Sequence, residues 1–162
     1  CGRPAILSTG MGTLQEVRRA VLTLQEAGLP RNQIIVLQCH SDYPTRPRDA
    51  NLRVMESMRK ALGVRVGFSD HTQGMAAAVA AVALGACVVE KHFTLDARMP
   101  GPDHRASLEP GEFACMVRMI REAEDCLGDG RKRPTPRELR NRFAVRKTIV
   151  ARKKILRGEV FS

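Results

Sequence analysis

The sequence predicts an α/β fold built from four consecutive βα units, and three observations support this prediction. Short apolar runs begin near residues 4, 33, 64 and 86, and each is followed by a segment with helical spacing or composition. The runs are continuous rather than alternating, which is typical of buried parallel strands. Short connections between the units are typical of doubly wound sheets and of (β/α)8 barrels. A complete barrel needs about 250 residues, so four units correspond to half of one.

Local signals define the ends of the predicted elements. The predicted strands cover residues 4–8, 33–39, 64–68 and 86–89, and the predicted helices cover residues 14–27, 50–62, 73–84 and 110–127. Thr13 and Glu16 form a predicted capping box for the first helix, and Asp49 is a plausible N-cap for the second. The first three helices end at glycines, which are Gly28, Gly63 and Gly85. The fourth helix has a predicted buried stripe of Phe113, Met116, Val117, Ile120 and Ala123.

The net charge of +10 is concentrated near the C-terminus. Residues 131–157 contain 12 basic residues and a single acidic residue, Glu138, whereas the remaining chain has 15 basic and 16 acidic residues. The body is therefore nearly neutral, and the basic tail lacks the interleaved aromatic residues of a stacking surface for single strands. We expect no nucleic-acid partner. A basic-tailed nucleic-acid binder is the rival that salt-dependent DNA binding would favour.

No apolar run approaches the roughly 20 residues needed to span a membrane, and the N-terminus has no signal-peptide pattern. The chain has five cysteines and no CxxC pair. An odd number of unpaired thiols is typical of a reducing compartment, so we expect a cytoplasmic protein without a membrane partner.

Two histidines follow the ends of the third and fourth predicted strands. Because the carboxyl ends of parallel strands meet at one edge of a sheet, His71 and His92 are expected together at the edge where α/β folds bind ligands. Neutral imidazole binds Mn²⁺ or Zn²⁺, and two protein ligands leave positions open for other oxygen donors. From this pattern alone, a core role or a hydrogen-bonding role for the histidines is about equally compatible.

Three serines also lie at or just beyond strand ends, namely Ser8, Ser41 and Ser69. Hydroxyls at this edge can donate to phosphate or carboxylate oxygens. A role in forming the turns is the alternative, and it is favoured if the residues are considered without further context.

Five motifs occur in order along the chain. They are Ile6–Met11, Gln38–Pro44, Gly67–Thr72, Glu90–Asp96 and Pro100–His104. Together they resemble the sialic acid synthase family, which includes the N-acetylneuraminate, legionaminate and pseudaminate synthases. The resemblance covers essentially the whole chain.

The resemblance implies a fold, a reaction and a division into domains. The family has a (β/α)8 barrel followed by a small antifreeze-like domain, forms homodimers, and condenses phosphoenolpyruvate with an N-acylated hexosamine using a divalent metal, usually Mn²⁺. Residues 1–127 resemble the second half of the barrel, strands 5 to 8. Residues 128–162 resemble a basic linker and the start of the antifreeze-like domain, in which 144–150 would be a strand and 160–162 a turn.

The resemblance also implies roles for individual residues. His71 and His92 match the metal ligands, with Asp70 and Glu90 flanking them as residues that could orient them. Ser8 and Ser69 match phosphoenolpyruvate-binding positions, and Ser41 aligns with a position usually held by Asn or Thr. Tyr43 matches a sugar-contacting position, for which packing beside Pro44 is the alternative. Asp103 matches an acceptor for sugar hydroxyls, for which turn formation is the alternative.

The family's first four strands carry a carboxylate and lysines that hold the substrates, and this chain matches only the other half. We therefore expect the chain to be a fragment that is inactive alone. Such a half-barrel would have two open sheet edges and exposed apolar residues on its inner face. A non-catalytic half-barrel that oligomerises is the alternative function.

Overall fold

The four predicted strands form one parallel sheet in the computed structural model, which describes residues 2–160. The strands are β1 (Ala5–Ser8), β2 (Ile34–Cys39), β3 (Arg65–Asp70) and β4 (Val89–Lys91). The helices are α1 (Leu14–Glu26), α2 (Val54–Leu62), α3 (Ala76–Ala83), α4 (Pro110–Leu127) and α5 (Pro136–Val145). The strand order β1-β2-β3-β4 follows the chain, and a helix follows each strand. The prediction of four βα units is confirmed, and their arrangement is that of a half-barrel.

Helix-end signals account for several of the element boundaries. Thr13 and Glu16 form the predicted capping box of α1, in which the Thr13 Oγ1 accepts from the backbone N–H of Glu16. Gly63 follows α2 with φ 63°, a left-handed conformation that glycine adopts at little cost. The prediction that Asp49 is the N-cap of the second helix is wrong. Asp49 lies in a 3₁₀ turn and accepts from Arg46, and α2 begins only at Val54.

The hydrophobic core fills the space between one face of the sheet and the helices. Val36, Val66 and Phe68 contribute from the strands, and Val17 and Met55 contribute from α1 and α2. A smaller cluster joins α3 to α4. In α4 the predicted stripe is only partly right, because Met116 is buried and Phe113 and Ile120 pack beside it, whereas Val117 is exposed.

The inner face of the sheet is less exposed than the sequence predicts. Side chains alternate along a strand, so Ile35 and Leu37 point away from the helices. Both are buried, whereas Ile6 on the edge strand β1 is 56% exposed. Gly67 explains part of the difference, since a Cβ there would lie 2.6 Å from the Leu37 Cδ2. The absent side chain lets Leu37 pack closely against β3.

Strand β4 begins three residues later than predicted. Gly85 leaves α3 with φ 88°, and the backbone N–H of Ala86 still bonds to Ala81 O. Regular pairing with β3 is then limited to Val89–Lys91. The shift moves Glu90 and Lys91 from the loop into the strand.

The chain divides into two compact units, one ending at Gly128 and the other beginning at Asp129. The second unit contains α5, whose Thr135 and Glu138 form a capping box behind Pro136 at the first helical turn. The strand predicted for 144–150 is wrong, because 144 and 145 end α5 and 146–150 have no regular structure. The turn predicted for 160–162 lies mostly outside the described residues.

The four cysteines that the structure describes are all free thiols. Across residues 2–160, no helix combines the length and apolar character required to cross a membrane.

Candidate active site

Strand register brings the predicted site residues to one edge and one face of the sheet. Ser69 pairs with Glu90, and Asp70 pairs with Lys91, across the parallel β3 and β4. Phe68 and Asp70 share the helix-facing side, so Ser69 and Glu90 share the opposite, inner side. His71 and His92 each come directly after a strand and continue this alternation toward the inner side.

Three aromatic rings meet at this edge. The ring centroids of His71 and His92 are 5.2 Å apart, and their planes are nearly perpendicular. The Tyr43 ring, from the loop after β2, lies 4.2 Å from His71 and 5.5 Å from His92. The structure therefore brings both predicted metal ligands and one predicted sugar-contacting residue into a single cluster.

Hydrogen bonds fix the tautomer of His71. Its Nδ1 lies 2.8 Å from the carbonyl oxygen of His40, and because a carbonyl only accepts, Nδ1 carries the proton. The Ser69 hydroxyl is 3.4 Å from Nε2, but it donates to Glu90 Oε1 at 2.6 Å. A hydroxyl has one proton to give, so the Nε2 lone pair is free. His71 thus presents an unprotonated nitrogen at the inner face.

Ser69 itself is buried and engaged with Glu90. To bind a phosphate or carboxylate, the Ser69 hydroxyl must exchange Glu90 for an oxygen of the ligand. The sequence predicts Glu90 only as a residue that flanks His92, whereas in the structure it is the direct partner of Ser69. The alternation of side chains along a strand could have predicted this contact, because it places Glu90 and His92 on the same face of the sheet when β4 extends to Lys91.

The other predicted contacts lie at the same edge at different distances from the histidines. Ser8 ends β1 and is exposed, with β2 between it and β3. Ser41 is exposed just after β2, where its Oγ would be 3.1 Å from a Cβ placed at Gly10. The loops after β1 and β2 therefore approach each other, with Ser8 and Ser41 on the β1 side of the cluster.

Asp103 lies in the loop between β4 and α4, directly before the 3₁₀ turn His104–Ala106. Burial is the main cause that raises the pKa of the Tyr43 phenol, and electrostatic interactions with Cys39, Asp103 and Glu90 raise it further. The phenol therefore stays protonated and can donate to an acceptor at neutral pH.

The loop carrying Asp103 is anchored at both ends. The backbone N–H of Leu108 bonds to His92 O at 2.9 Å, and Thr94 N–H bonds to Leu108 O at 3.0 Å. Inside the loop, the buried Thr94 hydroxyl lies 2.7 Å from His104 Nδ1. These bonds fix both the backbone of His92 and the loop that presents Asp103.

Asp70 does not contact His71. Its carboxylate is buried on the helix-facing side, where it bonds to Thr72 and to Lys91 Nζ. The prediction that Asp70 directly orients the imidazole is wrong, because strand alternation turns its side chain away. Any effect of Asp70 on His71 must pass through the backbone.

The donor set fits a divalent metal only through two imidazoles. Neutral imidazole nitrogens suit Mn²⁺ and Zn²⁺, and His71 presents a free Nε2 beside His92. Among residues 2–160, no group of three or more His, Cys, Asp or Glu side chains could hold a metal ion. His71 and His92 could therefore supply two ligands, with the remaining positions left to other donors.

Known proteins resemble this chain in sequence along most of its length. The N,N'-diacetyllegionaminic acid synthase of Campylobacter jejuni is 48% identical over 157 residues, which is 97% of this chain and 47% of that protein. The N-acetylneuraminate-9-phosphate synthase of Mus musculus is 42% identical over 159 residues, or 97% of this chain and 43% of that protein. The chain thus spans about half the length of the curated relatives it matches.

Solved structures also share the fold. A crystal structure of the N-acetylneuraminic acid synthetase from Leptospira borgpetersenii superposes with a TM-score of 0.75 at 32% identity, covering 90% of this chain and 51% of that one. The spore coat polysaccharide biosynthesis protein spsE from Bacillus subtilis gives 0.73 at 38% identity, covering 85% and 38%. The model of the NeuB family matches residues 1–132. The chain therefore belongs to the NeuB family.

Proposed function

We propose that this chain forms half of the catalytic barrel of a nonulosonate synthase, which condenses phosphoenolpyruvate with an N-acylated hexosamine of the N-acetylmannosamine type. The observation that carries the proposal is the convergence of His71 and His92 at the carboxyl edge of β3 and β4, beside Tyr43 and the Ser69–Glu90 pair. In barrels of this type the carboxyl edge is where catalytic groups lie. Family membership supports the same reaction class.

The proposed reaction forms one carbon–carbon bond. The methylene carbon of phosphoenolpyruvate attacks the aldehyde carbon of the open-chain sugar, and the aldehyde oxygen takes up a proton. Water adds at the adjacent carbon of phosphoenolpyruvate, and inorganic phosphate leaves. The product is a sialic-acid-like 2-keto acid.

His71 and His92 would hold the divalent metal, Mn²⁺ in this proposal, which when bound supplies Lewis-acid polarisation of a carbonyl oxygen. The chain's own residues prepare the site. The carbonyl of His40 keeps the proton on His71 Nδ1 and leaves Nε2 free for ligation. Water exclusion comes in part from the Tyr43 ring, which covers His71.

The remaining predicted residues would bind the substrates. Ser8, Ser41 and Ser69 would donate to the phosphate and carboxylate oxygens of phosphoenolpyruvate, with Ser69 leaving Glu90 to do so. Asp103 would accept hydrogen bonds from sugar hydroxyls, and Tyr43 would contact the sugar. Charge-assisted hydrogen bonds of these kinds fix the position and orientation of a polar substrate.

Metal binding can be tested through the only tyrosine. The chain has one tyrosine and no tryptophan, so its intrinsic fluorescence reports the ring that stacks on His71. We expect Mn²⁺ to quench this emission saturably in the wild type. The His71→Ala, His92→Ala double variant should lose the saturable phase.

Lys60→Met is the control, because it changes an exposed side chain on α2 that is paired with Glu56 and takes no part in the cluster of His71, His92 and Tyr43. Its Mn²⁺ affinity should stay within about twofold of the wild type, a free-energy difference of about 0.4 kcal/mol. Equal Mn²⁺ affinity in the wild type and the double variant would show that neither histidine binds the metal.

We further propose that this chain alone does not turn over substrate. Positioning and charge stabilisation each contribute several kcal/mol to such reactions, and a half-barrel supplies only part of both. The assay is phosphate release from phosphoenolpyruvate with an N-acylmannosamine and Mn²⁺, with and without a separately supplied N-terminal half from a family member. Robust turnover by the 162-residue chain alone would refute this proposal.

The second candidate function is a non-catalytic half-barrel that oligomerises, and the exposed Ile6 on edge strand β1 favours it. Phosphate release on addition of the other half would exclude this alternative. Oligomers without turnover in either condition would favour it.

A further inference from the structure

Asp70 and Lys91 form an ion pair that differs from the others in the described part of the chain. Their Nζ and Oδ2 atoms are 3.0 Å apart, and the two side chains are 0% and 1% exposed. In the six other ion pairs described, every partner is at least 28% exposed. Lys91 and Asp70 are therefore the one fully buried pair described.

The pair is embedded in a closed set of hydrogen bonds. Asp70 Oδ1 accepts from both the backbone N–H and the hydroxyl of Thr72, each at 2.8 Å, while Oδ2 accepts from Lys91. Lys91 Nζ also donates to the backbone carbonyl of Thr72. Desolvating two charges is costly, and a buried pair is often no more stable than apolar residues of the same size. Stability alone is thus a poor explanation for this arrangement.

The position of the pair points to another role. Asp70 and Lys91 are register partners on β3 and β4, and each directly precedes one of the two histidines. Strand alternation puts the pair on the helix-facing side and the imidazoles on the inner side. Thr72, on the other flank of His71, is bound to both members of the pair. The backbone at His71 is therefore held on both sides, and the start of the His92 segment is tied to it.

We infer that Asp70 and Lys91 are positioning residues, which set the separation of the His71 and His92 rings from the opposite side of the sheet. Groups that hold ligands in place without touching the metal commonly tune a site in this way. The purpose of the spacing rests on the proposed metal-dependent function, but the spacing itself can be measured without metal.

The test separates positioning from mere stability. The Asp70→Asn, Lys91→Met double variant removes both charges and keeps an acceptor for Thr72, so no buried charge is left unpaired. The single variants Asp70→Asn and Lys91→Met each leave one charge without its partner. Lys60→Met, which breaks the exposed i,i+4 pair with Glu56, is the matched control.

Two readouts are compared with thermal stability in the full 162-residue chain. The first is the set of nuclear Overhauser contacts among the rings of Tyr43, His71 and His92 in the metal-free protein. The second is Mn²⁺ affinity, followed by the electron paramagnetic resonance signal of the free ion. We expect the double variant to fold, lose the His71–His92 contacts and bind Mn²⁺ at least tenfold more weakly, while Lys60→Met changes neither readout by more than twofold.

A double variant that keeps the ring contacts and the Mn²⁺ affinity would overturn the inference. So would a double variant that does not fold, since the pair would then be required for the fold rather than for the spacing. If the wild type binds no Mn²⁺ through His71 and His92, the metal assignment fails, and the metal-free ring contacts still decide whether Asp70 and Lys91 position the histidines.

Discussion

Gly67 occupies a position on β3 where even one added methyl group has no room. A Cβ there would lie 2.5 Å from Val88 O and 2.6 Å from Leu37 Cδ2. Neither neighbour can move away cheaply, because Val88 O accepts the β3 backbone N–H of Phe68 at 2.9 Å and Leu37 is fully buried. Replacing Gly67 with alanine must therefore push β4 away from β3 or displace a packed side chain.

Overpacking of this kind costs about 1–3 kcal/mol. For a domain of this size, 1 kcal/mol lowers Tm by about 2–4 °C, so Gly67→Ala should lower Tm by roughly 2–12 °C. The measurement is thermal unfolding of the chain followed by far-UV circular dichroism. The φ of Gly67 is outside the left-handed region, so a lower Tm would result from the lack of space for a Cβ and not from backbone strain.

Gly111→Ala is the matched control for the same chemical change. Gly111 lies in the first turn of α4, and a Cβ there would meet nothing within 4 Å. Alanine is favoured over glycine in helices by up to about 1 kcal/mol, so Tm should stay unchanged or rise. A Gly67→Ala chain that melts at or above the wild-type temperature would refute the packing argument.

Three further predictions concern a helix cap, the tyrosine and the tail. Thr13→Ala should destabilise the first unit by about 1 kcal/mol through loss of the α1 capping box, whereas Thr135→Ala should leave the main thermal transition unchanged; equal shifts would contradict this. In a spectrophotometric titration, the single tyrosine should ionise above its ordinary pKa of 10.0 in the folded chain, because burial and then Cys39, Asp103 and Glu90 raise its pKa, and it should return to that value in denaturant; a folded midpoint at or below 10.0 would contradict this rise in the pKa. Limited proteolysis should cut first within the exposed residues 129–160, and earlier cleavage in the first unit would be inconsistent with the assigned exposure.

Local signals explain which parts of the fold could be predicted. Continuous apolar runs define the strands, and the Thr13 capping box and Gly63 define helix ends, because each depends on neighbours in sequence. Asp49 shows the limit of this reasoning, since a capping residue type also forms turn contacts, here with Arg46. The strand predicted for 144–150 is wrong because Pro136, directly after the N-cap Thr135, favours the start of a helix, and this helix extends to Val145.

The candidate site could be predicted only in part. His71 and His92 were predictable because parallel strands bring their carboxyl ends together whatever the details of packing. The Ser69–Glu90 bond and the buried Asp70–Lys91 pair were not, because both depend on register across two strands. The sequence predicts that β4 begins three residues earlier than it does. Glu90 and Lys91 then fall in a loop, where the alternation of side chains along a strand does not apply.

The sequence by itself determined the order of the βα units, the edge at which the histidines meet and the family to which the motifs belong, since these follow from short-range patterns. Tertiary structure alone decided which nitrogen of His71 is free. It also decided that the Tyr43 ring stacks on the His71 ring, and that the Asp70 side chain turns away from His71 to pair with Lys91. These features depend on distances between residues from different strands and loops. A shift of one residue in strand register exchanges the two faces of the sheet, so only the folded chain determines which side chains meet.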